Sequence, residues 1–344
     1  MKIDNFYLKT ETPPITEFFG GFERCATTAV YGDAASGKSI FAMQAACDNV
    51  RINDENSLYV IIDPNITFVD LARFIDDYNK EHKTDILMWG VIYNPTEKDI
   101  QLYDPEIVYR WQETYPILPS GGRARKPRWK IVREERTKPE GKGVFVMKIA
   151  DPVDALLMYG VPINIQKSEK GMLTARLAVT DKDDLIVESP LSSEMYKFIN
   201  DYECSLVCFD SISAVAEVFE IGGRVNLLAR HEVSQALLLR MNTVNSALNA
   251  AILAVHHAGG EEGVVKFRGG RSVKYASKNV IRILKKDKWT SRAAWESHRL
   301  FQRMRHNFMP DKSAAMWTKI GRTGFTKSPN GNPDFKPDGV KEWF

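Results

Sequence analysis

The stretch Gly32-Asp33-Ala34-Ala35-Ser36-Gly37-Lys38-Ser39 constrains this chain more than any other. It reads G-x-x-x-x-G-K-S, a phosphate-binding loop. Thr27–Tyr31 before it is a short, partly β-branched run that predicts a strand. The residues after it, Ile40–Cys47, contain no Gly or Pro and are rich in helix formers. A chance glycine turn would show the same glycines, but not both flanks. Gly32 and Gly37 allow the backbone to curl so that its N–H groups face an anion. The helix start adds partial positive charge. In this pattern Lys38 reaches the β- and γ-phosphates and the Ser39 hydroxyl ligates Mg²⁺.

A second motif strengthens the first. Ser205–Phe209 is an apolar strand ending in Asp210. A carboxylate delivered there beside the loop holds Mg²⁺. Leu58–Ile62 is another continuous apolar run, suited to a strand buried on both faces of a parallel sheet, and it ends at Asp63. Open α/β sheets bind ligands at such carboxyl ends. Ala251–Val255 is a further buried strand, leading to His256 and His257. Adjacent imidazoles point to opposite sides of a strand, so a polar contact from one of them to nucleotide is favoured over a metal pair.

Helices are predicted over 67–80, with Phe68, Leu71, Phe74, Ile75 and Tyr78 on one side, and over 230–249. Strands are predicted at 86–93, 279–284 and 315–320. Ile15–Phe22 should fold onto the core. From about residue 117 the character changes. Pro116, Pro119, Gly121, Gly122 and Pro127 break regular structure, and a basic run from Arg123 to Lys138 surrounds Trp129. Val144–Ile149, Leu173–Val179 and Leu185–Val187 predict short strands. The resulting expectation is a core in two parts, 1–116 and 189–325, a basic β-rich insertion at 117–188 and a tail at 326–344.

With 344 residues there is ample core, and 44% hydrophobic with 26% charged residues suits a globular protein. A net charge of +3 does not by itself demand a nucleic-acid partner, so local clustering must argue it. No apolar run approaches the roughly 20 residues that span a bilayer. Cys25, Cys47, Cys204 and Cys208 form no C-x-x-C pair, which fits buried thiols in a reducing cytoplasm.

Taken in order, these motifs resemble the RecA/RadA recombinase family, in particular its archaeal and eukaryotic branch. Ile15–Gly21 followed by Gly32–Ser39 is similar to that family's lead-in and P-loop. Asp210–Ala214 is similar to its Walker-B phrase. Glu220–Arg230 resembles its first DNA-binding loop and following helix, and Gly269–Arg282 resembles the exit of its second. Arg305–Pro310 with Ala315–Ile320 resembles its closing hairpin. The resemblance spans about 15–105 and 190–325 and implies an α/β RecA-like P-loop ATPase core with a mostly parallel sheet, holding ATP and Mg²⁺. It implies DNA contacts from Arg224, Arg230, Lys266, Arg268, Arg271 and Lys274, with single-stranded DNA as partner.

The departures are informative. The chain begins almost at the core, without the helical DNA-binding domain of larger members, and 117–188 has no counterpart. Where the family carries an Asp-x-Glu phrase whose Glu orients the attacking water, this sequence has Asp63-Pro64-Asn65. An amide is a poor proton acceptor, so hydrolysis should be slow. The family's γ-phosphate-sensing Gln falls at His257. The expected function is that of a RadA-like paralogue or mediator in recombination and repair. Such a protein would be cytoplasmic, at the nucleoid, and a homo-oligomer or associated with a recombinase. The rivals are an ATP-switched scaffold with little hydrolysis, and a KaiC-like signalling or helicase-type ATPase.

Overall fold

A computed structural model of the chain describes residues 6–62, 65–94, 99–102, 107–114, 128–135, 142–149, 151–161, 163–167, 173–177, 189–217, 227–259, 266–267, 276–285, 298–306 and 314–327. The first third holds β1 (Tyr7–Leu8), α1 (Pro13–Phe19), β2 (Phe22–Glu23), β3 (Thr27–Gly32), α2 (Lys38–Asn53), β4 (Asn56–Ile61), α3 (Phe68–His82), β5 (Leu87–Asn94), β6 (Asp99–Leu102) and β7 (Ile107–Thr114). Next come β8 (Arg128–Glu135), β9 (Gly143–Lys148), α4 (Pro152–Met158), β10 (Ile163–Lys167) and β11 (Leu173–Leu177). Then follow α5 (Glu194–Asp201), β12 (Cys204–Asp210), α6 (Ile212–Glu217), α7 (Leu227–Ala247), β13 (Ala251–Gly259) and β14 (Lys266–Phe267). The chain closes with β15 (Asn279–Lys285), β16 (His298–His306), β17 (Ala315–Ile320) and β18 (Phe325–Lys327).

A 12-stranded sheet organises these elements in the order β18-β17-β16-β15-β3-β13-β12-β4-β9-β5-β6, with β14 paired to β13. From β15 to β5 every neighbouring pair is parallel. The strands are apolar runs because both faces are covered. Leu58 and Val60 of β4, Val207 and Phe209 of β12, and Ile252 and Ala254 of β13 pack on one side with residues of α4, α5, α6 and α7. The alternate residues, Tyr59, Ile61, Leu206, Cys208, Leu253 and Val255, pack on the other side with α2 and α3. That alternation is the pleat's two-residue period written into the core.

The predicted helix after Ile66 forms as α3. Thr67 caps it by accepting from the Asp70 N–H at 3.2 Å, and the Asp70 carboxylate returns to the Thr67 N–H at 3.0 Å. Leu71, Phe74, Ile75 and Tyr78 are its buried face. The lead-in folds onto the core as expected, with Ile15, Phe18, Phe19 and Phe22 buried. It is tied down by Asp48 of α2, which accepts from the Thr10 and Thr12 hydroxyls at 2.7 and 3.0 Å and from the Glu11 N–H at 2.9 Å.

The expected 117–188 boundaries need correction. β9, which falls within the expected insertion, is a strand of the central sheet, paired in parallel with β4 and β5. The reason is composition: Val144, Phe145, Val146 and Met147 are all buried, and only a sheet interior covers both faces of such a run. Gly143 is required there, because a Cβ would sit 2.6 Å from the Leu87 carbonyl and 2.8 Å from Trp89 Nε1. Val153, Ala155, Leu156 and Met158 of α4 belong to the same core. Outside the central sheet, besides the β1–β2 pair of the lead-in, stand the antiparallel pairs β7–β8 and β10–β11. β7 begins at Ile107, ahead of the expected boundary. The strand predicted at 185–187, and the tail beyond 327, lie outside the described residues.

Candidate nucleotide site

The site lies where β3, β13, β12 and β4 end together. In register, Gly32 is opposite His257, Val255 is opposite Asp210, and Asp210 is opposite Ile61. The P-loop leaves β3 at Gly32 and enters α2 at Lys38. Gly37 caps that helix in the left-handed region (φ 96°), and Ala35 is also left-handed (φ 57°). Asp33, Ala34 and Ala35 form an exposed tip, whereas Ser36 and Lys38 are buried. Close packing sets the glycine positions. A Cβ on Gly32 would meet the Ile283 carbonyl at 2.5 Å and Ser36 Oγ at 2.8 Å. At Gly37 it would meet Ile320 and Phe325 of the β17–β18 hairpin, each at 2.8 Å. That hairpin is clamped to α2 by Gln44, whose amide accepts from the Phe325 N–H at 2.7 Å and donates to the Phe325 carbonyl at 3.1 Å.

Lys38 folds back over its own loop. Its Nζ donates to the carbonyls of Gly32 at 2.9 Å and Asp33 at 2.7 Å, with Ser36 Oγ at 3.5 Å.

Asp210 is 1% exposed, and its Oδ2 accepts from the Tyr59 hydroxyl at 2.9 Å. The same hydroxyl lies 3.3 Å from the Ser39 carbonyl. One phenol from β4 therefore links the carboxylate at the end of β12 to the first turn of α2. Burial pushes the Tyr59 phenol well above its usual range, and the charge of Asp210 and its hydrogen bond push it further. Tyr59 thus remains a neutral donor. The sequence reading did not single out Tyr59 because it lies in an apolar run far from Asp210 in the chain.

The two histidines separate as their spacing requires. His256 is fully buried, and burial, together with the neighbouring His257, pushes its pKa down to about 3. It is a neutral core residue. His257 is half-buried, and its backbone N–H donates to Ser213 Oγ on α6 at 2.9 Å. Asn65 is exposed in the turn between β4 and α3.

Among the sites expected to touch DNA, Arg230 is a backbone position on α7 and Lys266 one on β14. Arg224, Arg268, Arg271 and Lys274 lie outside the described residues. All four cysteines are free, with Cys47, Cys204 and Cys208 buried and Cys25 exposed. Burial raises the Cys47, Cys204 and Cys208 thiols, so they stay protonated and take no part in thiolate chemistry. Among the described residues no group of three or more His, Cys, Asp or Glu could hold a metal by itself, and no helix is long and apolar enough to cross a membrane.

A further residue, Arg299 of β16, was also missed by the sequence reading. It is 7% exposed, and its Nε and Nη2 donate to the carbonyls of Ser36 at 3.1 Å and Ala35 at 3.3 Å. In sequence it stands in a generally basic stretch, where nothing distinguishes it from a solvated arginine.

No protein-family model matches the chain, and no curated protein matches its sequence. Solved structures do match its fold. A KaiC-like protein of the hyperthermophilic archaeon Pyrococcus horikoshii OT3 superposes with a TM-score of 0.50 and 14% identity, over 94% of this chain and 99% of that one. The RadB recombinase superposes with a TM-score of 0.51 and 16% identity, over 93% of this chain and 99% of that one. The chain therefore has a RecA-like α/β fold, with its P-loop at the carboxyl ends of a mostly parallel sheet.

Proposed function

We propose that this chain is an ATP-dependent DNA-binding protein of homologous recombination or DNA repair, a RadA-like paralogue or mediator. One observation carries the nucleotide part. The P-loop, which follows β3, and the buried Asp210 at the end of β12 are separated in the sheet only by β13, and the Tyr59 hydroxyl bridges Asp210 and the Ser39 carbonyl next to Lys38. Lys38 would turn from the Gly32 and Asp33 carbonyls to the β- and γ-phosphates. Ser39 and Asp210 would hold Mg²⁺, directly and through its water shell. His257, on the strand beside Gly32, would report on the γ-phosphate, and Asn65 would position the attacking water.

The DNA part is supported by the order of the chain. Arg224 lies in the link between α6 and α7, and Lys266, Arg268, Arg271 and Lys274 lie between β13 and β15. The second of these links leaves β13 just beyond His257, at the nucleotide end of the sheet. Cations there would meet the phosphates of single-stranded DNA without reading sequence. The fold it shares with the RadB recombinase supports the same reading. A homo-oligomer, or association with a recombinase, is part of the proposal.

Asn65 makes the expected turnover slow, because an amide holds a water without accepting its proton. A KaiC-like ATPase is the second reading, favoured by the comparable match to the KaiC-like protein. ATP hydrolysis by the purified protein, with and without single-stranded DNA, separates the two. Slow turnover that DNA stimulates, and that Asn65→Glu raises, is the expected result. Turnover indifferent to DNA supports the KaiC-like reading. ATP binding with neither turnover nor stimulation supports a switched scaffold.

A further inference from the structure

We propose that Arg299 is a positioning residue for anion binding by the P-loop, acting from behind it on two peptide groups that shape the loop ahead of α2. The proposal rests on the reading that this loop binds nucleotide. The Ala35 and Ser36 carbonyls that Arg299 holds belong to the peptide units carrying the Ser36 N–H, which closes the loop's own turn on the Asp33 carbonyl at 3.2 Å, and the Gly37 N–H. Those units lead into the N-terminus of α2. A cation on the carbonyl side polarises each peptide, so its N–H becomes a stronger donor. It also fixes the orientation of both units and adds positive charge behind the anion.

The arrangement around Arg299 is built for this. Its third donor group, Nη1, bonds the His298 carbonyl at 2.8 Å, so the planar fork cannot swing. β16 is held on both sides, by β15 and by β17, and the Thr318 hydroxyl donates to the Arg299 carbonyl at 3.4 Å. The two cations at the loop then have separate tasks. Lys38 must give up the Gly32 and Asp33 carbonyls to reach a phosphate. Arg299 holds its carbonyls throughout, and keeps the loop in shape while the lysine moves.

The test uses the full chain and two probes, a fluorescent ADP analogue and inorganic pyrophosphate as its competitor. Arg299→Gln, which removes the charge and the fork, is expected to weaken both by about tenfold or more, about 1.4 kcal/mol. Arg299→Lys keeps the charge and one donor, and is expected to weaken both by about threefold. Equal losses for the two probes place the effect on phosphate and not on base or ribose. A merely structural arginine would lower the melting temperature in both variants and weaken them alike, and that outcome overturns the proposal. So does unchanged binding by Arg299→Gln, or, where that variant does not fold, unchanged binding by Arg299→Lys. Absence of binding by the unsubstituted protein overturns the nucleotide reading and this proposal with it; binding that both variants leave untouched overturns this proposal alone.

Discussion

Lys38→Ala is expected to weaken ATP binding by about a hundredfold. The side chain is buried and carries its charge to the centre of the loop, where it donates to two backbone carbonyls. In the bound state those bonds are exchanged for bonds to phosphate oxygens, where both partners are charged. Hydrogen bonds to charged groups contribute about 1.5–3 kcal/mol each, and about 1.4 kcal/mol is a factor of ten. The ε-ammonium is also the only charge that the loop itself can bring to the β- and γ-phosphates, since Asp33 has the opposite sign. Titration with a fluorescent ATP analogue measures the loss. Binding within a few-fold of the unsubstituted protein would mean that the loop is not the nucleotide site.

Gly32→Ala is expected to have the second large effect, on stability as well as on binding. The added Cβ would lie 2.5 Å from the Ile283 carbonyl of β15, a backbone atom that can move only with its strand. It would also press on Ser36 Oγ, which packs inside the loop at 2.8 Å from the same point. Overpacking of this kind costs about 1–3 kcal/mol. The strand must shift or the loop must open, and either change alters the peptide groups that Arg299 holds. Urea denaturation would show a lower midpoint with an unchanged slope. An unchanged midpoint would mean that β3 and β15 are not packed as described.

Much of this molecule is legible in its sequence, and the parts that are not share a physical cause. β3, the P-loop and α2 are contiguous, so local pattern alone sets their order. β12 and β13 are legible for the same reason, as apolar runs ending in a polar residue. β9 shows the limit. Val144–Met147 is visibly a strand, but a run buried on both faces says nothing about which strands lie beside it. Its place between β4 and β5 is decided by packing across the whole sheet. The supporting side chains were hidden more deeply. Tyr59 reads as one more apolar residue of a strand, although its hydroxyl is what Asp210 bonds. Arg299 reads as one charge among many, although it is nearly buried against the P-loop from a strand far along the chain. Contacts between distant segments leave no local periodicity to detect, so the motif is legible and its supports are not.

The most direct test of the account is retention of single-stranded DNA by the purified protein at low salt, with and without ATP and Mg²⁺, alongside Lys38→Ala. The predicted result is retention that rises with ATP in the unsubstituted protein and does not rise in Lys38→Ala. Retention indifferent to ATP, or no retention in either condition, would contradict it.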